Sequence, residues 1–435
     1  MNIKIPEGWE IRKLGEIAEI VGGGTPSTKN PKYWNGNISW ITPKDLSNFR
    51  YRYIYRGSKN ITELGLKKSS AKLLPRGTVL LSSRAPIGYV AIAGKELATN
   101  QGFRSFIIKE KNKLNNEFLY YWLKLNKPKL ESIASGSTFK EVSGSALKQL
   151  EIFLPPIPEQ EKIADILGSI DDQIENLMEQ NKTLEEIAKT IFKRWFIDFE
   201  FPNEEGKPYK SSGGEFIDSE LGKIPKGWRV GTFGELIKDT IGGDWGKETV
   251  KGKFNKKVYA IRGTDFKNLD IGLYDNLPIR YIKSSSLEKR KLKEGELLIE
   301  LSGGTKGQPT GRIFYVSKSI IENSTYPLVF SNFCRKLIVN KSARPEFIYF
   351  YWKYLYSKGV MANYQTESTG ISNFQLKSFL KTFKIYIPPK ELQNKFSNFA
   401  KNIMNKKQNN QIQTLTQLRD TLLPKLITGQ IRVKV

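Results

Sequence analysis

The sequence predicts an α+β protein: two pseudo-two-fold-related globular units of mixed helix and strand, separated by a pair of long antiparallel coiled-coil helices. Three observations predict it. One large unit is repeated along the 435 residues. An unbroken heptad seam follows the first copy. The formal charge of +26 is spread so that both globular stretches are basic while the helical stretches oppose each other in sign.

The repeat comes first because it organises the rest. Ile5-Pro6-Glu7-Gly8-Trp9 recurs as Ile224-Pro225-Lys226-Gly227-Trp228, and Gly15-Glu16 as Gly234-Glu235. Trp40-Ile41 ahead of Asp45 is echoed by Tyr259-Ala260-Ile261 ahead of Asp265. Asn115-Asn116-Glu117-Phe118-Leu119-Tyr120-Tyr121 matches Arg344-Pro345-Glu346-Phe347-Ile348-Tyr349-Phe350, and Ile152-Phe153-Leu154-Pro155-Pro156 matches Ile385-Tyr386-Ile387-Pro388-Pro389. The offset drifts from 219 to 233 residues, through small insertions in the second copy. This divides the chain into globular units at 1–155 and 224–388, a central helix at 156–200, a linker at 201–223, and a C-terminal helix and tail at 389–435.

Within the first unit, Gly77-Thr78-Val79-Leu80-Leu81 and Phe103-Arg104-Ser105-Phe106-Ile107-Ile108 read as strands, and residues 116–125 as a short helix. Gly22-Gly23-Gly24 reads as a tight turn, since no helix-like run follows to make a dinucleotide site. After the double proline, Ile163, Leu167, Ile170, Ile174, Leu177, Asn181, Leu184, Ala188, Ile191 and Trp195 alternate steps of four and three. A rod of about 38 residues would be roughly 57 Å long. The second helical stretch, from Glu391 to about Leu423, starts a seam at Phe396, Phe399 and Ile403 and ends one at Leu415, Leu418 and Leu422. Its middle, Asn405-Lys406-Lys407-Gln408-Asn409-Asn410-Gln411, is polar, and the pattern leaves open whether it packs or is solvated. A polar layer shared with Asn181 would fix register at some cost in stability.

Residues 1–155 carry a net +13 and 201–388 a net +12, as two copies of one polyanion reader would. Residues 156–200 are net −6 and 389–435 net +7, so the helices are expected to pair, antiparallel under a pseudo-dyad.

Several chemistries are excluded. With no histidine there is no Ser-His-Asp or Cys-His arrangement. A lone cysteine, Cys334, permits neither an internal disulfide nor a thiolate zinc cluster. Gly303-Gly304-Thr305-Lys306-Gly307 lacks the spacing of a phosphate-binding loop. The Asp/Asn-Pro-Pro-aromatic tetrad of an amino-methyltransferase is missing, since Leu154 and Ile387 precede the double prolines. No acidic-plus-lysine cluster suggests magnesium-dependent nuclease work. The expectation is a chain without catalysis or metal of its own. The N-terminal segment has no apolar core of signal-peptide length, and no stretch approaches a bilayer span, so the chain is expected in the cytoplasm, away from membranes.

Four segments then carry a resemblance. They are 191–199 (Ile-Phe-Lys-Arg-Trp-Phe-Ile-Asp-Phe), 219–228 ending in the repeated Gly-Trp, 154–160 with its echo at Ile387, and 418–431. In this order they resemble the DNA-specificity subunit of type I restriction-modification enzymes, over essentially the whole chain. The resemblance implies that the globular units are target-recognition domains, each reading half of a bipartite duplex-DNA target, and that the helices set the gap between half-sites. It implies a non-catalytic scaffold for two adenine-methyltransferase subunits and two ATP-dependent translocase-nuclease subunits. S-adenosylmethionine, ATP and magnesium would belong to those partners. An orphan DNA- or RNA-binding scaffold is the alternative.

Reading DNA takes cations on phosphates and side chains on base edges. In the first unit the candidates are Arg50, Arg52 and Arg56, interleaved with tyrosines, then Arg84 beside Pro86, and Asn100, Gln101 and Arg104, whose amides and guanidinium can pair with adenine and guanine edges. Ser137, Thr138 and Lys140 fall at the place equivalent to Ser372 and Asn373 in the second unit, where small hydroxyl residues suit a phosphate. Lys253, Lys256 and Lys257 cluster with Lys251 in a loop near Arg262. Lys306 and Arg312 belong to a glycine-rich stretch, residues 303–312, read as a loop with no counterpart of equal length in the first unit, and loops are where readers differ.

Overall fold

Each repeat opens on the same turn. The Pro6 carbonyl accepts the Trp9 N–H at 3.1 Å, and Pro225 accepts Trp228 N–H at 3.0 Å. Between them Gly8 and Gly227 sit at φ +78° and +86°, the left-handed third position of a type II turn. This explains the Pro-x-Gly-Trp repeat. The computed structural model describes residues 5–434 apart from 48, 85, 137–139, 275–276, 305–308 and 369–370. It divides into two compact units, Met1–Asn176 with Thr414–Val435, and Leu177–Gln413.

In the first unit, strand Glu10–Lys13 pairs antiparallel with Glu151–Leu154, so the repeat closes on itself just before the double proline. A five-stranded sheet runs in the order Ala18–Gly22, Phe103–Ile108, Val79–Ser82, Val90–Ala93, Tyr53–Ile54. Helix Asn116–Leu125, capped by the Asn115 carboxamide, buries Phe118, Leu119 and Tyr121 in the core with Val79, Leu81, Ile92 and Phe106. A smaller sheet of Lys59–Ile61, Trp34–Ile41 and Ala98–Thr99 lies alongside. The glycine triplet differs from its expectation. None of the three has a positive φ, and a Cβ on Gly23 or Gly24 would lie 2.1 Å from the Asn100 carbonyl oxygen or 2.2 Å from the Ala71 nitrogen. The glycines permit close backbone approach, not a turn.

The second unit repeats the plan. Arg229–Thr232 pairs with Lys384–Ile387. A four-stranded sheet holds Ile237–Gly242, Cys334–Val339, Leu297–Glu300 and Ile313–Tyr315. A three-stranded one holds Ile279–Ile282, Lys256–Ile261 and Leu328–Phe330. A third sheet joins Ser302–Gly304, Ile371–Phe374 and Gln365–Ser368. The 201–223 segment is ordered: Phe216–Ser219 pairs with Gly222–Pro225, and Phe201 stacks on Tyr209 at 4.5 Å and on Trp228 at 5.4 Å.

The heptad seam forms one 40-residue helix, Ile157–Phe196, half of it in each unit. Pro158 falls in the first turn, where a missing N–H breaks no helical bond. Gln160, fully buried, donates to the carbonyls of Pro155 and Lys113, and Gln393 repeats the bond to Pro388 at 3.0 Å. These bonds explain the spacing of Pro-Pro and Gln in both copies. In the first unit Ile163 and Leu167 share a core with Leu423, Leu426 and Ile427. There Glu159 meets Arg432 at 2.7 Å and Asp171 meets Arg419 at 2.8 Å, so the helices run in opposite directions. In the second unit Phe192 and Phe196 pack on Phe396 at 5.5 and 5.2 Å, while Glu185 meets Lys407 at 2.8 Å, again antiparallel.

The second rod corrects a single-helix reading. It is two helices, Lys390–Lys406 and Asn409–Ile427, broken where Lys407 turns extended. Asn181, 1% exposed on the seam, accepts the Gln408 N–H at 2.8 Å and donates to the Asn409 side chain at 2.9 Å. The polar middle is packed, and the polar layer is the break itself.

Candidate nucleic-acid interface

In the first unit the chain leaving strand Val79–Ser82 runs straight into a hairpin. Ser83 donates to Gly102 and accepts from Val142, Arg84 bridges Glu141, and Glu141 bridges Ser135. The Glu141 carboxylate holds two guanidinium groups, Arg104 at 2.7 Å and Arg84 at 3.6 Å. Both arginines are part-exposed, and Lys140 is exposed next to them. Ser137 and Thr138 lie outside the described residues. Asn100 turns its carboxamide inward to cap the Gly102 N–H at 2.9 Å, while exposed Gln101 accepts from the Thr25 hydroxyl.

The second unit builds the same junction from different chemistry. Ser302 pairs with Asn373 and Gly304 with Ser372, where the first unit has its Arg84–Glu141 bridge. The Ser302 hydroxyl bonds Asn373, and Ser372 bonds Gln365. Lys306 lies outside the described residues. Arg312 points the other way: it is bound through two nitrogens to Glu300, which is 1% exposed. Arg262 closes on Asp265 through Nε at 3.0 Å and Nη2 at 2.7 Å, beginning the short helix there.

The arginine-tyrosine run divides by what each side chain meets, since Arg50, Arg52, Ile54 and Arg56 share one parity along the chain. Arg50 and Arg56 are exposed, whereas Arg52 and Ile54 face inward. Arg52 is 6% exposed and bound by Glu117 at 2.7 Å and by Asp172 of the long helix. Its guanidinium joins the edge of the five-stranded sheet to the long helix, so it offers no outward cation.

Composition also hid a group of cations resting on rings. Lys59 lies over Trp34 at 5.4 Å in the first unit's small sheet. In the second unit Arg280 lies over Trp245 at 4.1 Å, Lys283 over Phe254 at 5.0 Å, and Lys257 over Tyr326 at 4.3 Å. Lys253 and Lys256 are exposed nearby in sequence. These pairs join residues far apart in the chain, so only the lysine cluster around Lys251 signalled any of them, through Lys257. Cations held in this way keep their charge and can neutralise phosphates. Among the described residues no group of acidic or cysteine side chains is placed to hold a metal. Burial pushes the Cys334 thiol up to about 12, which leaves it neutral and unreactive near pH 7. No described helix is long and apolar enough to cross a membrane.

A sequence model described as the type I restriction modification DNA specificity domain matches this chain twice, at residues 6–186 and 225–418. The chain belongs to the type I restriction-modification DNA specificity family. Membership makes it a specificity subunit rather than a catalytic chain of such an enzyme. The two matches bear out the internal duplication. The type I restriction enzyme MjaIX specificity subunit of Methanocaldococcus jannaschii is 38% identical over 99% of this chain and 95% of that one. The EcoKI specificity subunit of Escherichia coli is 21% identical over 98% and 90%. A crystal structure of the type-I restriction-modification system S subunit from M. genitalium, 18% identical, shares the fold with a TM-score of 0.52 over 98% of each chain.

Proposed function

We propose that this specificity subunit reads a bipartite duplex-DNA target, one half with each unit, and scaffolds adenine-methyltransferase and translocase-nuclease subunits that carry S-adenosylmethionine, ATP and magnesium. The observation that supports it best is the repeated junction of loop and hairpin, built from Arg84, Arg104 and Glu141 in one unit and from Ser302, Ser372 and Asn373 in the other. One frame bearing two different sets of hydrogen-bonding groups is what two different half-sites require. Arg84, Arg104, Gln101 and Lys140 are the readers we assign in the first unit. Ser372, Asn373 and Lys306 are those of the second. Arg50, Arg56, Lys253 and Lys256 are assigned to phosphates.

The test maps methyladenine genome-wide in cells expressing this chain with its methylating partner. Two defined half-sites at fixed separation are expected, and Arg84→Ala with Arg104→Ala should relax only one of them. A single uninterrupted motif, or methylation without sequence preference, would sink the reading.

A further inference from the structure

We propose that in the second unit the 247–254 loop and Arg280 form a sequence-independent phosphate clamp, in which Glu248 holds the anion's place until DNA arrives. The proposal rests on the duplex-DNA reading and adds a separate, non-reading surface to it.

The loop is fixed rather than loose. Lys247 and Tyr281 exchange two backbone hydrogen bonds of 2.9 Å, Lys251 and Phe254 exchange two of 3.2 and 3.0 Å, and Gly252 at φ +54° makes the tip. Phe254 lies beneath two ammonium groups, Lys283 at 5.0 Å and Lys247 at 5.8 Å. A ring face attracts a cation without cancelling its charge, so these lysines are positioned yet still positive. Lys251 and Lys253 stand exposed on the same loop.

Arg280 is the built part. Its side chain is only 13% exposed, its guanidinium over the Trp245 ring at 4.1 Å, and its Nε is buried with no hydrogen-bond partner. Its Nη1 binds Glu248 at 2.8 Å, yet that carboxylate side chain is 83% exposed. An ion pair so open to water is weak and exchangeable. A phosphate offers the guanidinium more acceptor oxygens than the one now engaged. Lysine ammonium groups are point charges with no fixed donor pattern, which suits backbone rather than base edges.

The test measures affinity of the full-length chain for target and scrambled duplexes over a range of salt concentrations. Lys251→Ala with Lys253→Ala should make the slope of log K against log salt shallower by about 0.9 per lost contact, equally on both duplexes. Lys251→Arg with Lys253→Arg should restore it. Glu248→Gln should tighten both duplexes. An unchanged slope in the alanine pair, a loss confined to the target, or no tightening by Glu248→Gln would each overturn the clamp. A wild-type chain that prefers no duplex sequence would instead remove the DNA reading beneath it.

Discussion

The carboxamide of Asn181 accepts the backbone N–H of Gln408, 227 positions away, at the point where the second rod breaks. One side chain thereby fixes the axial register of two helices, because only one alignment brings it to the break. Asn181→Ala leaves that N–H unpaired and takes one bond from the Asn409 side chain in a buried place. The expected cost is about 1–3 kcal/mol. Thermal unfolding of the full chain should show a lower midpoint for Asn181→Ala and also for Asn181→Leu, which restores the seam but not the amide. A raised midpoint for the leucine variant would mean that the amide does not hold the break.

Arg52 tests whether a basic residue in a recognition unit belongs to the frame. Burial opposes its charge, but Glu117 and Asp172 around it raise its pKa, so it stays a cation. Arg52→Met leaves the part-buried Glu117 carboxylate without a counterion. About 3 kcal/mol of stability should be lost, the low end for breaking a buried pair, since Asp172 is largely in water. The methylated sequence should be unchanged wherever the protein still folds. A changed motif with unchanged stability would return Arg52 to the reading surface.

Arg312 makes the same point in the second unit, with its partner better buried. Arg312→Ala strands Glu300, whereas Glu300→Gln with Arg312→Met removes both charges. The single variant should unfold at a clearly lower temperature than the double, because an uncompensated buried charge costs more than a missing pair. Equal midpoints would show that the pair is not coupled.

These contrasts mark what was legible in the residues and what was not. The long helix and the helix Asn116–Leu125 rest on local periodicity, and each stands in the structure as read, while Pro-x-Gly-Trp was legible only as a repeat whose turn the structure supplies. The break at Lys407 depends on Asn181, and the inward turn of Arg52 on Glu117 and Asp172, partners that no local pattern brings together. Arg52 sits among arginines and tyrosines whose composition says surface. Its two-residue spacing from Ile54 is shared by exposed Arg56, and exposed Arg50 stands two residues before it, so alternation does not separate the buried arginine from the exposed ones. The Arg280–Trp245 stack had no local signal either.

The two antiparallel helix contacts also make a statement about acid. Burial alone would raise the pKa of Asp171, but Lys124, Arg419 and the bonds from Arg419 and Tyr121 outweigh it and hold it below the ordinary 3.8. Glu185, likewise opposed by burial, is held well below 4.5 by Lys353 and Lys407. A carboxyl with a depressed folded pKa contributes its stability above the unfolded value, and that contribution fades as pH falls through the folded one. Asp171→Asn should therefore lower the unfolding midpoint at pH 7, where Arg419 loses its buried charged partner and keeps only the exposed Asp420. As the pH drops below about 4, the unfolded chain takes up the proton first and the gap should narrow, closing only once the pH has fallen through the lower folded value of Asp171. Midpoints measured from neutral pH into that acid range check the sign directly. A gap that stays constant throughout would show that Asp171 is not ionised against Arg419 in the folded chain.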